Sequence, residues 1–313
     1  MGRQNSRGRY TQEIATYRQP VLIYNPAAGK FRRQPARTLQ RTIDALKKIG
    51  IAPVPAPTDA AGHAAELARN AVAAGADLVL VLGGDGTVNE AANGMIHSRV
   101  PLGVLPGGTA NVLANELGLG NRLERAAERL GHCVPRRIAA GKLCTANGEA
   151  RYFLLMGGVG LDATIVASVN PALKAASGKL AYWIAGFGRF FHTVGQFRTA
   201  VNGQRSECGF ALVSRVRNYG GDMQIAGGAS LLSDDFEVVL FKGSSPLRYA
   251  AYMTAVLLRQ AQSMPGVCTL RTKRIEFSGD ADLQIDGEYG GRLPASFEIV
   301  PDALTLLLPI AYR

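Results

Sequence analysis

An unbroken apolar run leads straight into three glycines and a cluster of polar groups: Val79-Leu80-Val81-Leu82-Gly83-Gly84-Asp85-Gly86-Thr87-Val88-Asn89-Glu90. The run reads as a buried strand and its continuation as a helix. Glycines at such a junction let bare backbone N–H groups face a phosphate, and the start of the helix adds positive potential. Thr87 and Glu90 stand three apart, in capping-box register, which places the helix start at Thr87. An acid in a phosphate loop is repelled by its ligand unless a cation intervenes, so Asp85 suggests Mg²⁺. Neither G-x-x-x-x-G-K-[ST] nor G-x-G-x-x-G is present, so this is a phosphate loop of another type.

Two further turns have the same placement. Leu105-Pro106-Gly107-Gly108-Thr109-Ala110-Asn111 follows a strand and precedes a helix, and Asn25-Pro26-Ala27-Ala28-Gly29-Lys30 follows the apolar run 21–24. Open α/β sheets bind ligands at such strand ends.

The elements that must hold these turns alternate. Strands are expected at 21–24, 77–82 and 101–105, with an edge strand in the Pro-rich stretch 52–57. Helices are expected at about 34–49, 62–75 and 87–95, with another starting at 111–117. That rhythm predicts a parallel sheet with helices on both faces. After about residue 140 it gives way to short runs at 152–156, 208–214, 236–241, 274–277, 282–285 and 296–299. These read as an antiparallel second domain, interrupted by helical stretches at 171–193 and 246–262.

Composition bounds the function. The chain has 313 residues, 47% of them hydrophobic and 19% charged, which excludes disorder and a disulfide-stapled miniature fold. Its net charge is +11, and residues 1–50 carry eleven Lys/Arg against two acids. A basic face suits a nucleotide or an anionic membrane surface. The signatures of nucleic-acid folds are missing, so no nucleic-acid partner is expected. Cys133, Cys144, Cys208 and Cys268 are scattered, and His63, His97, His132 and His192 lack metal-ligand spacing. Reduced thiols and the absence of an apolar leader point to the cytoplasm. No run of 18 apolar residues occurs, so no transmembrane segment is expected. The aromatic, basic-edged stretch 179–193 has two readings, a membrane-interface helix or a helix packed on the second domain. Asp162 is open between lining a cleft and capping a loop.

Together, NPAAGK, GGDGTVNE and PGGTAN, with Leu231-Leu232-Ser233-Asp234-Asp235-Phe236 and Gln284-Ile285-Asp286-Gly287-Glu288, resemble the diacylglycerol kinase catalytic domain. Bacterial soluble lipid kinases and the sphingosine and ceramide kinases share that domain, and the similarity runs from about residue 20 onward. NAD kinases and phosphofructokinases also carry G-G-D-G-T, so that element alone gives only the superfamily. Residues 1–18 read as a basic flexible tail, and the resemblance implies an N-terminal three-layer α/β nucleotide-binding domain over residues 19–140. A β-sandwich-like domain over 141–313 follows, with its last residues open to a return into the first domain.

The resemblance also distributes roles. ATP would be held by Asn25, Pro26, Ala27, Ala28 and Gly29, by Thr58, by Gly84, Asp85, Gly86, Thr87, Val88, Asn89 and Glu90, and by Thr109. Asp85 would act on the metal-bound phosphates, and Glu288 would take the proton from a lipid hydroxyl. A structural Mg²⁺ would sit on the carbonyls of Leu231 and Phe236 and the carboxylate of Asp234. The chain departs from the pattern at Asp235, where glycine is usual. Phosphoryl transfer asks for positioning, a metal and a readied nucleophile, and these residues suit it. Read by itself, Asp286-Gly287 is the two-residue turn of a hairpin. The expectation is an ATP- and Mg²⁺-dependent lipid kinase acting on diacylglycerol at a membrane surface. A sphingoid base or other lipid alcohol stays open as acceptor, as do a homodimer and peripheral attachment to the membrane. An NAD kinase and a non-catalytic nucleotide sensor are the alternatives.

Overall fold

The structure, a computed structural model, describes residues 16–29, 34–160, 195–201, 203–220 and 223–313. Lys30, Asp162 and the stretch 179–193 lie outside them, as does most of the N-terminal tail.

The first part alternates strand and helix: β1 (Pro20–Tyr24), α1 (Pro35–Lys48), β2 (Val54–Pro57), α2 (His63–Ala73), β3 (Leu78–Gly83), α3 (Asp85–Met95), β4 (Leu102–Pro106), α4 (Val112–Glu116) and α5 (Leu123–Leu130). Strands then dominate: β5 (Cys133–Thr145), β6 (Ala150–Phe153), β7 (Met156–Gly160), β8 (Phe197–Val201), β9 (Gln204–Cys208), β10 (Phe210–Ser214), β11 (Asn218–Gly220), β12 (Met223–Gln224) and β13 (Phe236–Phe241). Helix α6 (Pro246–Leu257) precedes β14 (Val267–Thr272), β15 (Arg274–Ser278), β16 (Asp282–Ile285), β17 (Glu288–Arg292) and β18 (Ala295–Pro309).

Strands β2, β1, β3 and β4 lie side by side in parallel. Both central strands, β3 and β4, are buried throughout, as a sheet covered on two faces requires. Helix α1 packs with α5 and α2 with α3. The chain is therefore a mixed α/β unit followed by an antiparallel β-sandwich.

β18 joins the two. Its second half pairs in parallel with β4 through Leu306 and Leu102, its first half pairs antiparallel with β15, and β5 runs along nearly all of it. The sandwich is closed by a second sheet in the order β14-β13-β10-β7-β16-β17. Between the sheets, the Phe297 ring meets Phe153 edge-on at 5.7 Å and Phe277 at 5.6 Å, and Phe153 stacks on Phe236 at 5.8 Å. Gly157 makes room for this cluster, because a Cβ there would collide with the Phe297 ring.

The expected strands of the parallel sheet appear, with small shifts of their ends. In the sandwich, two expected strands are each two. The run 152–156 divides into β6 and β7, and 208–214 into β9 and β10, in opposite sheets in both cases. The chain crosses the core at these corners, so apolar residues continue through them and no polar residue marks the break. The run 296–299 is only the start of the fifteen-residue β18. Helix α6 ends at Leu257, and a short 3₁₀ turn at Ala261–Ser263 occupies the rest of the expected helix.

Phe297→Ala should cost about 3–5 kcal/mol in urea unfolding, the range for removing a fully buried aromatic ring. A loss below about 1 kcal/mol would contradict the packing described.

Candidate active site

The glycines after β3 and β4 are required first by each other. The Gly83 carbonyl accepts the N–H of Gly107 at 2.8 Å and of Gly108 at 3.1 Å. A Cβ on Gly108 would lie 2.5 Å from the Cα of Gly84, and one on Gly107 would lie 2.9 Å from the Gly83 nitrogen. The two loops touch backbone to backbone, which no residue with a side chain allows at this spacing. Asn111, in the left-handed region at φ 47°, clamps the second loop by exchanging hydrogen bonds with both the N–H and the carbonyl of Gly108 at 2.8 Å. Those amides are therefore spent inside the protein. The first turn of α3, whose N-cap is Gly84, faces the cavity beside them.

Helix α3 begins at Asp85, two residues before the expected start, and the Thr87–Glu90 capping box does not form. Thr87 Oγ1 accepts from Asn25 Nδ2 at 3.3 Å, and Glu90 Oε2 accepts the Ala64 N–H at 3.3 Å. Both side chains thus tie α3 to neighbours rather than to its own end. Asn25 is held in turn: its Oδ1 accepts the Ala27 N–H at 2.8 Å, and its own N–H donates to Leu82 O at 3.1 Å.

These loops surround a cavity of about 700 Å³. Residues 25–29, Thr58, Gly84, Gly86, Thr87, Glu90, Thr109 and Glu288 line it. Three residues named with them do not. Val88 is buried in the core, and Asn89 turns its carbonyl and side-chain oxygen to Asn93. Asp85 directs Oδ1 to the Leu113 N–H at 3.2 Å, on the first turn of α4. Gly108 of the second glycine turn lines it too, as do residues 59–61, which were not singled out in the sequence. The small residues of Thr58-Asp59-Ala60-Ala61-Gly62 were the available signal.

Glu288 arrives from the other domain. It opens β17 after a two-residue turn in which Asp286 (φ 49°) and Gly287 (φ 83°) are both left-handed. This is the expected hairpin turn, since a primed turn needs positive φ at both positions. Glu288 Oε1 reaches the N-terminal turn of α3, 2.6 Å from where a Cβ on Gly86 would stand. Its Oε2 pairs with Arg151 Nη2 at 3.0 Å, and Arg151 Nη1 donates to Tyr289 O at 3.1 Å.

The turn has a second function. The buried Asp286 carboxylate accepts the N–H groups of Leu154, Leu155 and Met156, each at 2.9 Å. These are the corner residues between β6 and β7. Burial, with a smaller contribution from Asp85, pushes the carboxyl up to about 7, against the three amides that pull it down. Asn93 completes the join, bonding the N–H and carbonyl of Tyr152 at 3.1 and 3.0 Å and so fastening α3 to β6. Neither role was visible in the sequence.

Residues 19–143 match the diacylglycerol kinase catalytic domain, and residues 157–308 match the YegS C-terminal NAD kinase beta sandwich-like domain. The chain belongs to the diacylglycerol kinase catalytic-domain family. It is a lipid kinase by class. A diacylglycerol kinase of Bacillus subtilis (strain 168) is 29% identical over 287 residues, covering 88% of this chain and 91% of that protein. One from Staphylococcus aureus (strain MRSA252) is 28% identical over 283 residues, covering 88% of each. A crystal structure of a diacylglycerol kinase from Bacillus anthracis str. Sterne superposes with a TM-score of 0.75 at 21% identity, over 95% of this chain and 99% of that one. At that identity the likeness concerns the fold.

The loop to which the family resemblance assigns a structural Mg²⁺ is built differently from a metal cradle. Leu231 O accepts Arg215 Nη2 at 2.8 Å, and Asp234 is exposed. Among the described residues, no three His, Cys, Asp or Glu side chains converge on one point.

The Asp286 carboxyl holds its proton more tightly folded, near 7, than unfolded, near 3.8. Its stabilising contribution is therefore complete below the lower value and is lost as pH rises through the upper one. Between pH 5 and 7 the unfolding free energy should fall by about 1.4 kcal/mol per pH unit more than in Asp286→Asn. Denaturant titrations across that window check this, and parallel curves would refute it.

Proposed function

We propose that this enzyme transfers the γ-phosphoryl group of ATP to a lipid hydroxyl, with diacylglycerol as acceptor and phosphatidic acid as product. One observation carries the reading: a carboxylate from the second domain, Glu288, lies against the open first turn of α3, inside a cavity walled by three strand-end loops. The N-terminus of a helix is an anion site, and here it is the natural seat for the nucleotide phosphates. Residues 25–29, Thr58, Thr109 and the α3 turn are the proposed ATP contacts. Residues 19–140 then serve the nucleotide and 141–313 the acceptor.

Glu288 is the proposed general base. Half-exposed at the cavity wall, it can accept the hydroxyl proton of an entering alcohol, while Arg151 fixes its orientation from the side away from Gly86. Arg151 is a positioning residue in this reading. The oxygen-rich wall, with Glu288 and Glu90 in it and Asp85 one helical position behind, suits a nucleotide-borne Mg²⁺. Bound there, the ion would neutralise charge on the transferring phosphates. Asp85 also braces α4 against α3 through the Leu113 amide, which keeps the second glycine loop in place.

The acceptor resides in a bilayer. No helix among the described residues is long and apolar enough to cross one. Helix α6 and its end expose Leu247, Leu257 and Leu258 beside Arg248 and Arg259, an apolar and basic face suited to an anionic lipid surface.

The test uses γ-labelled ATP, Mg²⁺ and mixed micelles containing a panel of lipid alcohols, with labelled NAD in a lipid-free control. Label should enter diacylglycerol. Glu288→Gln should lower kcat/KM by about 10²–10⁴-fold while ATP affinity stays the same. Arg151→Met should lower kcat about tenfold, again with ATP affinity retained. Full turnover in Glu288→Gln, or label in NAD alone, would sink the assignment.

A further inference from the structure

Arg215 is the largest fully buried side chain in the described structure, at 0% exposure. It stands one residue past the end of β10, level with the start of β13, and its guanidinium enters the loop at 231–235 from within. Nη2 donates to Leu231 O at 2.8 Å, and Nη1 donates to Ser233 O at 3.0 Å and Asp235 O at 3.4 Å. The Leu231 carbonyl is one of the two that the family resemblance gives to a structural Mg²⁺. A planar guanidinium suits this task because its fork of donors reaches several carbonyls at once.

The charge is partly offset, while Nε stays buried without a hydrogen-bond partner. Asp234 and Asp235 both lie near enough to favour the cationic form. A guanidinium keeps its charge at neutral pH. Asp235, at the position where glycine is usual, is gripped by Arg271 through Nε at 2.9 Å and Nη2 at 2.5 Å. One arginine thus fills the loop, and a second anchors the carboxylate that stands where glycine is usual. The loop is also tied outward. The Leu231 N–H donates to the Tyr312 hydroxyl at 3.3 Å, and that hydroxyl donates to Glu116 Oε1 at 3.0 Å, at the end of α4.

We propose that Arg215 replaces the structural divalent cation in this chain, its guanidinium cross-linking the loop carbonyls so that the fold requires no metal ion there. A divalent ion on Leu231 O would face a fixed positive charge within hydrogen-bond distance of the same oxygen, which disfavours its binding. Removing the arginine would leave three carbonyls and a nearby carboxylate, Asp234, without their cation. That is an oxygen set which a hard divalent ion can take.

The experiment is thermal unfolding of the protein without nucleotide or lipid, in EDTA and in millimolar MgCl₂ or CaCl₂, with retained metal measured after dialysis. For the native chain, Tm should be the same with and without chelator, apart from any shift that Asp234→Ala shows equally, and no ion should be retained. Arg215→Asn should lose at least about 5 °C in EDTA and regain much of it with Mg²⁺ or Ca²⁺. Adding Asp234→Ala should abolish that recovery. A native Tm that falls in EDTA and recovers with Mg²⁺ only when Asp234 is intact would overturn the proposal. So would an Arg215→Asn chain as stable as the native one. Should that variant not fold, Arg215→Lys keeps the charge with a single donor group. It should lose Tm and remain indifferent to the ions, and undiminished stability there would equally overturn the proposal. Because neither ATP nor lipid enters the measurement, its failure leaves the kinase reading standing.

Discussion

One buried carboxylate receives three backbone amides at the point where the chain passes from one sheet of the sandwich to the other. Without Asp286 the N–H groups of Leu154, Leu155 and Met156 would be buried unpaired, each at a cost comparable to a lost hydrogen bond. The left-handed turn that presents this carboxylate is the same turn that launches Glu288. The corner of the β6–β7 chain and the Glu288 end of the β16–β17 hairpin are thus fixed by a single group. Asn93 extends the join to α3 by pairing with both backbone groups of Tyr152. The carboxylate against Gly86 is accordingly held by the core of the sandwich and not by a loop.

The glycine loops show a comparable economy. Their absent side chains let Gly83 and Gly84 touch Gly107 and Gly108, so two strand ends approach at backbone contact distance. That approach uses the amides of Gly107 and Gly108, and the first turn of α3 faces the cavity beside them. Both loops thus take part in the close packing, and both line the cavity.

The sequence was readable wherever a single local pattern determined the outcome. β3 is a continuous apolar run and Asp286-Gly287 a two-residue turn, and both stand where their residue types require. The loops that meet at the cavity were recognisable for the same reason, each being a strand end followed by glycine. What escaped reading depends on contacts distant in sequence. The Asp286 carboxylate meets residues some 130 positions earlier, and no local property of Leu154 or Leu155 announces a corner. The start of α3 was misplaced because Thr87 and Glu90 suit a capping box, and only the proximity of Asn25 and Ala64 redirects them. Val88 and Asn89 share a motif with cavity residues, yet helix geometry turns them inward. Arg215 reads as one basic residue among many, and its burial follows from where β10 ends beside β13.

Strand β18 carries an implication for how the molecule comes into being. In the parallel sheet, the neighbour of β4 is supplied by residues about 200 positions further along the chain, and the same strand seals the sandwich. Until those residues have been synthesised and have found their place, β4 presents an open edge with unpaired backbone groups, the usual starting point of wrong pairings. A parallel sheet and a sandwich that look separable therefore mature together, late, as one cooperative body.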